Sequence, residues 1–186
     1  MTRYALLLRG VNVGASNALP MAELRTLLAN VGCTGVRTYV QSGNAVFATT
    51  LRPAHVARAI EEALERYMGR PIATTLRTLA QMTAIVDANP FTAVATDPAK
   101  LCVTFLSSAP ARSELAPLHV RDFSPEQFRV CGKEIYTWHP NGQGRSPLAA
   151  ALGKLRVRGA VTTRNWSTVL KLRDLLGELP PRDRSS

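Results

Sequence analysis

The chain is 186 residues long and 46% hydrophobic, with 23 Lys and Arg against 13 Asp and Glu for a formal net charge of +10. That apolar content supplies a real core and excludes wholesale disorder, and no apolar run reaches the ~18 residues that a membrane helix needs. The length suits one large domain or two small ones.

Residues 4–8 form a short apolar run that stops at Arg9-Gly10, which reads as a strand. No small-residue cleavage site follows, so a secretory leader is not expected and the cytoplasm is the default location. Pro20 stands where a first helical turn accepts it, and Met21, Leu24, Leu27, Leu28 and Val31 follow at helical spacing up to Gly32. Residues 36–40 and 45–48 read as strands of a hairpin turned by Ser42-Gly43-Asn44. Pro53 opens a second helix, striped by Val56, Ile60, Ala63, Leu64 and Tyr67 and closed by Gly69. Residues 72–76 read as a closing strand. The order is β-α-β-β-α-β.

That order then recurs. Residues 78–88 read as a linking helix stopped by Asn89-Pro90. Residues 101–106 are a strand and 110–118 a short helix. Residues 127–131 and 134–138 make a second hairpin across Gly132-Lys133. Ser146 is placed as the N-cap of a helix begun by Pro147, and residues 157–162 as the closing strand. Trp166, Val169, Leu170, Leu172 and Leu176 mark a last helix. The fold class expected is α+β, two tandem ferredoxin-like units with antiparallel sheets. Residues 1–78 are the first unit, 79–179 the linking helix plus the second, and 180–186 a flexible tail.

The three cysteines, Cys33, Cys102 and Cys131, are odd in number and form no CxxC; His55, His119 and His139 are scattered. Neither pattern supports a disulfide or a metal site. No acid pair or Ser–His–Asp arrangement marks a catalytic centre, so neither catalytic residue nor cofactor is assigned. The charge is spread: residues 1–78 carry 9 basic residues against 4 acids, and residues 79–186 carry 14 against 9. From Ile135 to Arg173 there is no acid, but there are Arg145, Lys154, Arg156, Arg158, Arg164, Lys171 and Arg173. Such a surface favours anionic partners, although an arginine- and alanine-rich composition is also what a GC-rich genome produces.

Three runs read as built loops: Arg9-Gly-Val-Asn-Val-Gly14, Gln41-Ser-Gly-Asn44 and Thr162-Thr-Arg-Asn-Trp166. Each has an ordinary reading beside a functional one. Gly and Asn at Asn12 and Asn44 suit tight turns as well as ligands. Arg164 offers a planar fork to phosphate, whereas Asn165 serves equally as a helix cap and Trp166 as core. Arg145, in Asn141-Gly-Gln-Gly-Arg-Ser146, precedes a helix start, but the run lacks the glycine and lysine of a P-loop.

The opening Tyr4-Ala-Leu-Leu-Leu-Arg-Gly-Val-Asn-Val-Gly14, Leu19-Pro-Met21 and Val36-Arg-Thr-Tyr-Val-Gln-Ser-Gly-Asn44 resemble the N-terminal signature of the DUF1697 family. Thr162-Thr-Arg-Asn-Trp-Ser-Thr168 resembles its C-terminal signature, so the likeness spans about residues 3–176. The resemblance implies a bacterial α+β protein of ferredoxin-like units and no reaction. Family members often carry a lysine just after Gly14; Ala15-Ser-Asn-Ala18 has none, which argues against phosphate binding by that loop.

The first functional expectation is a non-enzymatic nucleic-acid-binding protein, for DNA more than RNA. Arg145, Arg156, Arg158 and Arg164 are its phosphate contacts. The second is an enzyme or sensor for a small phosphorylated or carboxylated ligand, using Arg9, Asn12, Asn44 and Arg164 between the two units. The third is a module that homodimerises through a sheet face. No membrane partner is expected.

Overall fold

The computed structural model describes residues 1–13 and 18–179. The expectations for the loop from Gly14 to Asn17 and for the tail from residue 180 lie outside the described residues. The chain divides into two compact units. Met1–Ala84 forms the first, together with the C-terminal segment from Lys171, and Ile85–Leu170 forms the second.

The first unit contains β1 (Thr2–Leu8), α1 (Met21–Asn30), β2 (Thr34–Tyr39), β3 (Asn44–Thr49), α2 (Pro53–Met68) and β4 (Thr74–Thr78). They form an antiparallel sheet in the order β2-β3-β1-β4. The central strands are buried on both faces. Tyr4, Leu6, Leu8, Ala45 and Phe47 join the core with Leu24, Leu28, Val56, Ile60 and Leu64 of the two helices. Ala5, Leu7 and Val46 alternate with them on the opposite face and are fully buried too. A strand buried on both faces has no reason to alternate, which is why 4–8 reads as an unbroken apolar run. At the edge, β2 is mostly exposed or half-buried. The C-terminal segment belongs to this unit through contacts of its own. Arg3 donates to the Leu176 carbonyl at 3.1 Å, and Arg37 pairs with Glu178 at 2.8 Å.

α3 (Leu79–Asp87) follows, and then the second unit repeats the pattern. Its elements are β5 (Leu101–Leu106), α4 (Arg112–His119), β6 (Gln127–Cys131), β7 (Glu134–Trp138), α5 (Pro147–Gly153) and β8 (Val161–Asn165), before α6 (Trp166–Glu178). The antiparallel order is β6-β7-β5-β8, the same as in the first unit. Both units are therefore ferredoxin-like, as the element order predicts. Leu106, Leu115, Leu118, Phe123, Ile135, Leu148 and Leu152 form the core beneath α4 and α5.

Two strands fall later than their apolar residues suggest. β4 is displaced because its partners on β1 run from Leu8↔Thr74 to Tyr4↔Thr78. β8 begins at Val161 rather than residue 157, because its register with β5 runs from Leu106↔Val161 to Cys102↔Asn165. Residues 156–159 are instead a loop, held where the Arg158 amide donates to Glu114 Oε1 at 3.0 Å. The run from Thr162 to Asn165 is consequently strand, not loop, and Trp166 begins α6.

Gly43 has φ +72° and carries the carbonyl that accepts the Leu8 amide at 2.9 Å. A Cβ there would stand 2.5 Å from Val11 Cγ2 and 2.8 Å from Leu8 Cβ. Gly43→Ala is expected to destabilise the protein by at least about 2 kcal/mol through strain plus overpacking. A lowered urea midpoint at unchanged slope checks it. Burial pushes the thiols of Cys33 and Cys102 up to about 11, whereas Cys131 is exposed. A thiol-titrating dye is therefore expected to react promptly with Cys131 alone in the native protein, and with all three cysteines once it is unfolded.

Candidate functional site

The N-terminal signature runs meet in the first unit. Asn12 sits at φ +57° and acts as a clasp. Its Nδ2 donates to the Gln41 carbonyl at 2.8 Å and the Leu19 carbonyl at 3.0 Å, while its Oδ1 accepts the Leu19 amide at 2.7 Å. Asn44 is fully buried, and its Nδ2 donates to Ser42 Oγ at 2.8 Å and the Tyr39 carbonyl at 3.2 Å. Arg70 donates to the Gly10 carbonyl. The turn also holds Val40 at φ +47°, a left-handed conformation that costs a β-branched residue of order 1–3 kcal/mol. Asn12 and Asn44 are thus engaged in shaping the backbone, and Arg9 is exposed beside them.

In the second unit the expected cations separate. Arg145 is exposed just before α5, and Arg156 and Arg158 are exposed just beyond its other end. A helix of 7 residues puts about 10 Å between those ends. Arg164 lies on β8 and is only partly exposed. Its Nη1 donates to Thr162 Oγ1 at 2.7 Å and the Thr163 carbonyl at 2.8 Å, and burial lowers its pKa to about 10. Asn165 Oδ1 accepts the Thr168 amide at 2.9 Å and so caps α6. The Trp166 ring is buried and tilted against Tyr136 at 6.5 Å. It has no open face for a base.

A cluster that sequence reasoning did not find lies where β7 runs out into α5. His139 and Ser146 are buried, and the Glu126 side chain is only 7% exposed. His139 Nδ1 is 3.0 Å from Glu126 Oε1 and 2.9 Å from Ser146 Oγ, and its Nε2 is 2.9 Å from Thr137 Oγ1. Ser146 Oγ also accepts the Ala149 amide at 2.8 Å, and Glu126 Oε2 the Leu148 amide at 3.0 Å. The residue types are those of a Ser–His–Glu triad, but the geometry differs. A triad puts the acid on one ring nitrogen and the nucleophile on the other. Here both meet Nδ1, Nε2 is taken by a buried threonine, and the serine is a helix cap. The arrangement holds the start of α5 against the sheet. Its sequence signal was partial: Ser146-Pro147 announces the cap, but nothing local ties it to Glu126.

Burial acts to raise the Glu126 pKa, but hydrogen bonds from Ser146, His139 and the Leu148 amide outweigh it, so the net shift is downward. A carboxylate with a lowered folded-state pKa stabilises the fold above its unfolded value near ~4.3, and that contribution fades as pH falls through the folded-state pKa. Glu126→Gln is expected to cost about 1.5–3 kcal/mol at neutral pH, the range for hydrogen bonds to a charged group. It should also shrink the loss of stability below pH ~4, as urea titrations at neutral and acidic pH will show.

Among the described residues no group of three or more His, Cys, Asp or Glu is placed to hold a metal ion. No helix among them is long and apolar enough to cross a membrane. No curated protein matches the sequence. Over its length the fold is similar to the solved structure of a conserved bacterial protein from Streptococcus pneumoniae. The TM-score is 0.80 at 26% identity, covering 94% of this chain and 98% of that one. Residues 1–136 match the family described as protein of unknown function, DUF1697. With all three N-terminal signature runs inside that match, the chain belongs to the DUF1697 family.

Proposed function

We propose that this protein binds nucleic acid without catalysis, mainly by charge, through the exposed cations around α5 of the second unit. DNA is the favoured partner. The observation that carries this reading is the placement of Arg145, Lys154, Arg156 and Arg158. All four are exposed and lie within a stretch that contains no acid. Glu114, outside that stretch, lies near Arg158; its carboxylate accepts the Ala111 and Arg158 amides, which together with the Arg158 charge lower its pKa and keep it ionised. The cations stand at both ends of a helix about 10 Å long. Cations set at both ends of a helix suit the successive phosphates of a polymer better than one small anion.

Arg164 has a lesser part in this reading than its place in the signature run suggests. Its guanidinium is partly desolvated and donates to its own strand. Phosphate contact therefore rests on Arg145, Arg156 and Arg158.

Fluorescence anisotropy with labelled DNA and RNA across a salt series tests the proposal. Affinity is expected to fall steeply with salt, because bound cations release counterions from phosphates. Changing Arg145, Arg156 and Arg158 together to alanine is expected to reduce the log–log salt slope by roughly 3, about 1 per lost contact. The thermal midpoint should stay near that of the unmodified protein. No binding to any nucleic acid at ~50 mM salt with micromolar protein would falsify the reading, since non-specific affinity already shows there.

A further inference from the structure

The second unit also carries a cleft of about 660 Å3, between the end of α4, the following loop and the edge strand β6. That volume lies within the range of small-ligand sites. At its wall His119 and Arg121 are both exposed, and each planar group is backed by a phenylalanine. The His119 ring lies 5.3 Å from the Phe128 ring and tilted to it by 55°, and the Arg121 guanidinium lies 5.5 Å over Phe123. The two phenylalanine rings meet edge-on at 6.5 Å. Phe123 is buried and Phe128 half-buried, so the core itself holds the platform on which the two exposed planes rest.

Both carboxylates in the same wall are ionised and hydrogen-bonded away from Arg121. Asp122 Oδ1 accepts both the amide and the hydroxyl of Ser124, at 2.9 and 2.7 Å. Glu126 is held by His139 and the Leu148 amide. Among the described residues Arg121 has no carboxylate within ion-pair distance. The wall therefore offers the imidazole of His119 and the flat guanidinium of Arg121, with Gln127 exposed beside them; Arg129, which lies over the Phe91 ring and donates to the Phe128 carbonyl, adds a second cation. A planar ring that carries an anionic group fits this chemistry. Unstacked bases dock on histidine and arginine planes in this way, and their phosphates take the guanidinium charge.

We infer that this cleft is a nucleotide site, taking one unpaired base on His119 and Arg121 with its phosphate on Arg121. The ligand is a free nucleotide or a base within a single strand. The polymer form rests on the nucleic-acid reading above and gives it a preference for single strands.

Four probes separate the cases: labelled oligo(dT), a duplex of equal length, free dTMP and inorganic phosphate. Oligo(dT) is expected to bind at least about 5-fold tighter than duplex at equal salt, the lower bound for stacking one base. Arg121→Lys keeps the charge and loses the plane. It should abolish that preference while leaving duplex affinity unchanged. His119→Ala should reduce the preference, with urea denaturation confirming that the variant is folded. Arg156→Ala with Arg158→Ala should weaken both polymers alike and leave the preference intact. Equal affinity for the two polymers, or a preference untouched by Arg121→Lys and His119→Ala, overturns the single-strand form of the cleft assignment but leaves the basic-surface reading standing, and dTMP binding then decides the cleft. If no polymer binds, that reading falls. Saturation-transfer NMR with dTMP then decides the cleft alone. Binding of dTMP but not phosphate, lost in Arg121→Ala, supports a free-nucleotide site, and its absence overturns it.

Discussion

The central strands of both sheets are buried on their two faces, and the rest of the fold is arranged around that constraint. In β1 and β5 every position from Tyr4 to Leu8 and from Leu101 to Leu106 is buried. Such a strand can satisfy its backbone only through neighbours on both edges, so β3 and β4 flank β1 as β7 and β8 flank β5. Slipping the register by one residue would exchange the two apolar faces of each strand. The loops are fixed as a consequence, because they leave strands that have no freedom to shift.

Polar side chains inside this framework mostly serve the backbone. Asn12, Asn44 and Asn165 each satisfy main-chain groups where a strand leaves for a turn or a helix. Glu126 and Ser146 do the same more deeply at the start of α5, with His139 joining them. A buried polar network of this kind is costly unless it is fully satisfied, and satisfied it rigidifies its surroundings. Glu126 also belongs to the wall of the cleft beside β6, so the network that seats α5 steadies one side of that cleft.

The charge is organised differently from the polar core. The excess of +10 is carried mostly by exposed arginines rather than by one dense patch. Around α5 the cations flank the helix at both ends, and near α4 the Arg121 guanidinium and the His119 imidazole lie against phenylalanines. The first arrangement suits a repeating polyanion and the second a single flat group. They are compatible with one kind of ligand, because a nucleic acid supplies both.

By itself the sequence determined the two β-α-β-β-α-β units, the hairpin at Gly132-Lys133 and the cap at Ser146. These depend on local signals: apolar period, turn residues and the Ser-Pro at a helix start. Only the tertiary structure decided that β8 begins at Val161, because that boundary is set by pairing with β5, more than fifty residues earlier. For the same reason Arg164 became a partly buried strand residue rather than a loop contact. The meeting of Glu126 with His139 and Ser146, and of His119 and Arg121 with their phenylalanines, was equally illegible. In each case the partners approach because strands and helices pack, and no spacing along the chain records which side chains that packing brings together.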